Sequence, residues 1–466
     1  MESFSEQSLF LLSHYRKFPL EDGSFLLFNS ATNGLMKTTD AFVNLINRCS
    51  TVFCYKELVN IVRNEHNVTD LGQLNATFDN AIKCGILLHL NSTSECNIPL
   101  ADDFLSSTET ANSSCNIGVP TESINKVSIM ITDRCNCDCS YCLNKSTRLS
   151  QRHELSFLQW KSVVDQLILL NCSSITFTGG EPLLSSTLFE IAQYCKINGI
   201  NTAIISNGIL FSDDNIQQIA DCFDSISISI DSHIQAIADR LRGKGTYQSA
   251  IAAISLLKKV KKECVVNSVM TGINIDYLTT MYDYFYNTYD NVADINPMVQ
   301  EYDSLCPEFS ISTEQLLKFV SNNMDYHINK YGYEALIKSK KFPLAPKCGC
   351  GVGSSEIAIS PDGKVYPCRV LYTKELECGD ILSSSIREIY NNSEILKKIR
   401  YADTHRPDKC KNGDCGLSSF CRGGCFASTY YASGSYTPVL SPRQCAFQHK
   451  YTAEQLALKV RSKLAR

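Results

Sequence analysis

The chain has 466 residues, of which 44% are hydrophobic and 20% charged, with a net charge of −4. That is the composition of a folded protein with room for more than one core, at roughly 100–200 residues per domain, and the weak negative charge argues against nucleic acid or an anionic membrane surface as partner. No apolar run approaches the roughly 18 residues of a membrane-spanning helix, and the start at Met1 lacks the basic residues of a signal peptide, so the expected location is the cytoplasm.

The first ninety or so residues read as a small unit. A strand at 25–28, an Asn33-Gly34 hairpin turn and a returning strand at 34–38 precede three helical segments at 40–48, 55–65 and 70–84. Strands followed by helices predict a winged-helix-like module over 1–92. Residues 93–124, rich in Ser, Thr, Asn and Glu without periodicity, have linker composition.

From 125 to 300 apolar runs alternate with helical segments. Strands are predicted at 127–132, 174–177, 202–205, 225–230, 264–270 and 293–298, with helices at 155–170, 186–198, 214–221, 247–261 and 276–289. Repeated strand–helix units imply a parallel α/β sheet with its site at the carboxyl ends of the strands. A helical bridge follows over 301–346, then a cysteine-rich region over 347–450, and a basic amphipathic helix over 451–466 that reads as a solvated terminal element.

Cysteine usage carries the chemistry. There are 23 in the chain, and without a secretion signal that density favours metal or iron–sulfur ligation over disulfides. Cys135, Cys139 and Cys142 sit just after the predicted strand at 127–132, with gaps of three and two residues. Three thiolates leave one iron of a four-iron cluster open, since such clusters usually take four. A zinc site with Cys137 as fourth ligand is the other reading of the same residues. Further along, Gly179-Gly180-Glu181, Ser206-Asn207 and Ser229-Ile230-Asp231 each follow a β-like run.

With these motifs in this order the chain is identified as a member of the radical S-adenosylmethionine (SAM) superfamily. The resemblance implies a partial (β/α)6 TIM-like barrel whose Cys135, Cys139 and Cys142 hold a [4Fe–4S] cluster. The open iron would chelate SAM, whose cleavage gives a 5′-deoxyadenosyl radical. It further implies that Tyr141 packs near the adenine, that Gly179, Gly180 and Glu181 meet the amino group through exposed amides and the carboxylate, and that Ser206 and Asn207 face the ribose. Ser229, Asp231 and Arg242 would attend the SAM carboxylate, an arginine fork being suited to two parallel bonds.

The second field is Cys348, Cys350, Cys368, Cys410, Cys415, Cys421, Cys425 and Cys445, with a Pro361-Asp362-Gly363 turn. It resembles the SPASM extension of peptide-modifying radical enzymes, which implies two auxiliary [4Fe–4S] clusters and three in all. By the family's crossed pattern Cys348, Cys368 and Cys425 hold the first and Cys410, Cys415, Cys421 and Cys445 the second. Cys350 either completes the first or has no role. The four residues between Cys410 and Cys415, where the family usually has two, depart from the pattern. Zinc ribbons are the alternative for this region. Cys378 and the scattered remainder, Cys172, Cys195, Cys222 and Cys264 among them, read as small buried hydrophobes.

The expected activity is modification of a ribosomally made precursor peptide, most simply a crosslink through sulfur, carbon or oxygen. The amino-terminal module resembles a peptide recognition element and would take the leader by strand addition. A reducing electron donor such as flavodoxin or ferredoxin is implied as partner. Oxidation of Cys or Ser to formylglycine, similar to sulfatase-maturing enzymes, is the alternative reaction, and a metal-stabilised scaffold without catalysis is the alternative class.

Overall fold

The computed structural model describes residues 9–12, 16–19, 24–29, 34–47, 53–66, 71–84, 86–90, 124–145, 153–299, 307–338, 351–404, 425–436 and 442–464. Its centre is a nine-stranded sheet. Six parallel strands stand in sequence order: β7 (Lys126–Thr132), β8 (Ser174–Gly179), β9 (Asn201–Ser206), β10 (Ser225–Ser229), β11 (Cys264–Met270) and β12 (Val292–Val299). These match the predicted runs to within a residue or two. With the covering helices they form the partial TIM-like barrel.

Strand β13 (Glu356–Ile359), from the cysteine-rich region, pairs in parallel with β7, Ala358 opposite Ser128. Two short antiparallel strands, β14 (Lys364–Tyr366) and β15 (Gly379–Asp380), finish that side. Sequence reading had no strand here, because a four-residue run gives too little periodicity to register. With neighbours on both sides, β7 is buried along all but its first residue.

One face of the sheet is apolar. Ile175, Phe177, Ile204, Ile228, Val266 and Ile295 pack under the surrounding helices in a single core. The helix Phe157–Leu169 starts from a capping box in which Ser156 and Gln159 bond reciprocally. It buries Trp160, the only tryptophan, completely. A helix the sequence reading passed over, Gln235–Arg242, follows β10, its pattern diluted by polar residues.

The amino-terminal unit is richer in strands than expected. The predicted pair β3 (Phe25–Asn29) and β4 (Gly34–Thr38) is joined by β2 (Arg16–Pro19). A second sheet combines β1 (Leu9–Leu12) with β5 (Phe53–Cys54) and β6 (Leu87–Leu90). Helices Asp40–Asn47, Tyr55–His66 and Leu71–Lys83 close a separate core around Leu27, Phe42, Ile46 and Phe78. Asn33 and the segment 93–123 lie outside the described residues.

The terminal helix corrects the sequence reading most plainly. It begins at Pro442 and takes in Cys445. It is not a solvated tail, for it packs along the helix Thr313–Lys338 and buries Thr452 and Gln455. No helix among the described residues is long and apolar enough to cross a membrane.

Candidate functional site

The loop after β7 carries Cys135, Cys139 and Cys142 at the carboxyl end of the sheet. Cys142 N–H donates to the Cys139 carbonyl at 3.1 Å, and Ser140 N–H donates to Leu241 O at 3.0 Å, which ties the loop to the helix after β10. Cys137, Cys139 and Tyr141 are buried in an apolar shell with Leu241 and Phe309, and Cys135 and Cys142 are half-buried at its edge. The Cys137 thiol bonds to the sulfurs on either side of it, so its pKa rises far above the ordinary thiol value. The same bond, helped by the Arg242 charge against the opposing effect of burial, brings Cys139 down to about 7. A shielded loop of thiols beside a fixed cation fits an iron–sulfur cluster, which needs thiolates and a dry surround. Among the described residues no three His, Cys, Asp or Glu side chains are drawn close enough to grip a single metal ion.

Gly179 and Gly180 serve this loop through close approach. A Cβ on Gly180 would stand 2.0 Å from the Arg134 carbonyl oxygen, and one on Gly179, at φ +129°, 2.3 Å from that of Thr132. Gly180 N–H donates to Thr132 O and Glu181 N–H to Arg134 O, both at 2.8 Å. The expected exposed amides are therefore engaged by the loop itself. The Glu181 carboxylate is likewise internal, accepting from Ser206 Oγ at 2.8 Å, Asn207 N–H at 2.9 Å and Leu183 N–H at 3.3 Å. Burial pushes its pKa up to about 7.

Ser206 and Asn207 are thereby tied to Glu181. Ser206 Oγ also accepts from Gly208 N–H, and Asn207 Nδ2 donates to Asn136 Oδ1 at 2.7 Å, within the cysteine loop. Asn136 was missed in the sequence, being one of many asparagines with no distinguishing spacing.

Asp231 lies just past the end of β10. It is completely buried, forms an ion pair with Arg242 Nε at 2.8 Å, and accepts from three donors: Arg242 Nη2 at 3.2 Å, Val269 N–H at 2.9 Å and the Tyr141 hydroxyl at 2.5 Å. It closes a charge-neutral strut from the cysteine loop through β10 to the following helix. The Arg242 guanidinium lies 5.7 Å from the Tyr141 ring. Asn274 fastens the strut from behind through Asp231 O and Val269 O. Ser229 is half-buried, and its hydroxyl makes no bond among the described residues.

In the carboxyl-terminal region Cys368 and Cys425 are neighbours. Burial raises Cys368 to about 12, with a further push from Cys425. Cys425 caps the helix Phe426–Ser433, and its carbonyl accepts from Gln444 Nε2 at 3.2 Å, one residue before Cys445. Cys348, Cys350, Cys410, Cys415 and Cys421 lie outside the described residues. Tyr372 donates to Asp133 at 3.1 Å, joining this region to the residue that starts the cysteine loop.

Residues 129–285 match the radical SAM superfamily, and residues 348–416 match SPASM, an iron–sulfur cluster-binding domain. The chain therefore carries a radical SAM domain followed by a SPASM domain. Among curated relatives, the AdoMet-dependent heme synthase of Methanosarcina barkeri is 25% identical over 66% of this chain and 92% of its own length. Mycofactocin maturase MftC of Mycolicibacterium smegmatis is 24% identical over 65% of this chain and 78% of its own length. PqqA peptide cyclase of Bradyrhizobium diazoefficiens is 25% identical over 66% and 83%. Two solved structures share the fold. One is anSMEcpe with bound AdoMet and Cp18Cys peptide, at TM-score 0.59 and 18% identity, over 72% of this chain and 99% of that one. The other is Streptococcus suis SuiB bound to precursor peptide SuiA, at TM-score 0.55 and 15% identity, over 95% and 99%.

Proposed function

We propose that this chain is a radical SAM enzyme that modifies a ribosomally made precursor peptide, forming a side-chain crosslink through sulfur, carbon or oxygen. What carries the reading is the likeness to SuiB, solved with its precursor peptide, over 95% of this chain, amino-terminal unit included. The relatives MftC and PqqA peptide cyclase, named for peptide maturation, support it.

Cys135, Cys139 and Cys142 would hold the first [4Fe–4S] cluster. Cluster and SAM, when bound, supply hydrogen-atom abstraction from an unactivated carbon. The chain's own contribution is placement. Gly179 and Gly180 press β8 against the cysteine loop, Glu181 and Asn207 brace it, and the Asp231–Arg242 pair anchors Tyr141 beside it. Ser229, with its hydroxyl open, and the outer side of Arg242 are left for SAM. Cys348, Cys368 and Cys425, with Cys350 as a possible fourth, and Cys410, Cys415, Cys421 and Cys445 would hold two further clusters within 347–450. The amino-terminal unit over 1–92 would hold the leader, and a flavodoxin or ferredoxin in the cytoplasm would deliver the electron.

The test is mass spectrometry of the short peptide encoded beside this gene, coexpressed at low oxygen, with Cys135→Ala as control. Loss of two hydrogens per site, absent in the control, is the expected result. An unchanged peptide with SAM still cleaved would remove the crosslink reading.

A further inference from the structure

The central sheet has two unlike faces. On the core side Ile228, Val266 and Ile295 pack under helices. Side chains alternate along a strand, so their sequence neighbours Ser229, Asn267 and Asn296 point to the other side. The registers align them: Ser229 pairs with Asn267, and Asn267 with Asn296. Three polar side chains thus stand in one row across β10, β11 and β12, two residues before Asp231.

The row is internally linked and only half used. Asn296 Nδ2 donates to Asn267 Oδ1 at 3.3 Å. Asn267 is 4% exposed, and its Nδ2, which solvent still reaches, makes no bond among the described residues. The same is true of Asn296 Oδ1 and the Ser229 hydroxyl, and Asn296 itself is exposed on the end strand. An aligned row of polar side chains with open donors and acceptors has the capacity to hydrogen-bond a ligand.

The unused atoms are a donor from one carboxamide and an acceptor from the next, on strands about 4.8 Å apart. Both are neutral. An anion would have no use for the acceptor and an apolar group none for either, whereas a main-chain amide offers one N–H and one C=O. We infer that Asn267 and Asn296, beside the Ser229 left for SAM, form a ledge that hydrogen-bonds the substrate's peptide backbone next to the reacting residue. The inference rests on the peptide reading above and names the part of the site that would register the substrate.

The experiment is steady-state kinetics of the reconstituted enzyme with the peptide encoded beside this gene, alongside equilibrium binding of SAM. Asn296→Ala, on an exposed position of an end strand, is expected to raise the peptide KM about tenfold, as loss of one to two hydrogen bonds implies. The SAM Kd should stay within twofold of wild type. Asn296→Ser, which keeps a donor and an acceptor, should recover part of the loss. An unchanged KM overturns the ledge. A raised SAM Kd with unchanged KM also overturns it and gives the row to the nucleoside cofactor instead. If the wild-type enzyme itself leaves the peptide untouched, the peptide reading falls and the ledge with it.

Discussion

Asp231→Asn is the sharpest test of how the cysteine loop is held. The substitution keeps the shape of the side chain and removes its charge, leaving the Arg242 guanidinium buried, 8% exposed, without a counter-ion. Removing one partner of a buried pair costs about 3–5 kcal/mol. At 1.36 kcal/mol per tenfold, local opening should become about two to nearly four orders of magnitude more frequent. Native-state hydrogen exchange, read peptide by peptide, should show the acceleration in 135–145 and 229–243 while β7 and β8 keep their protection. Tyr141→Phe deletes one of three hydrogen-bond donors to the same carboxylate and should accelerate only the loop, by about tenfold to a hundredfold. Exchange in Asp231→Asn equal to wild type would refute the strut. Acceleration spread evenly over the barrel would refute its local character.

Gly180→Ala forces a Cβ against the Arg134 carbonyl, a backbone atom that cannot step aside, and reconstituted protein should lack about four irons per chain by colorimetric assay. Glu181 gives a pH signature. Its folded pKa, near 7, lies above the ordinary 4.5, so the unfolded state ionises first and local stability should fall as pH rises between those values, then level off. Exchange of residues 179–183 should follow that window, and Glu181→Gln should flatten it. In the carboxyl-terminal region, Cys368→Ala or Cys425→Ala should each lower iron by about four per chain, while Cys378→Ala, whose thiol is turned to the Leu376 carbonyl, should leave the count unchanged.

The barrel was legible because its strands are unbroken apolar runs separated by turn residues, a pattern that survives without tertiary information. Cysteine spacing was legible for the same reason, since it is local in sequence. What escaped was everything that depends on which polar atoms meet. Gly180 and Glu181 read as ligand contacts, yet their amides close onto Thr132 and Arg134. The pairing of Asp231 with Arg242 as counter-ions had no signal in the sequence either. A pairing across 11 residues or 90 leaves no trace in local composition. Short strands such as Phe53–Cys54 were invisible because two residues cannot display a period.

The pairing of β13 with β7 sets an order on how the molecule is made. Lys126 meets Glu356 only after more than two hundred further residues have left the ribosome, so one flank of β7 stays open throughout synthesis of the barrel. Contacts this distant in sequence slow folding, and an open flank of consecutive apolar residues invites pairing with another chain. A fragment ending near residue 346 would therefore be expected to aggregate rather than persist as an independent barrel. Expression trials that divide the gene between the two domains should look for this first, by comparing soluble yield with and without residues 347–404.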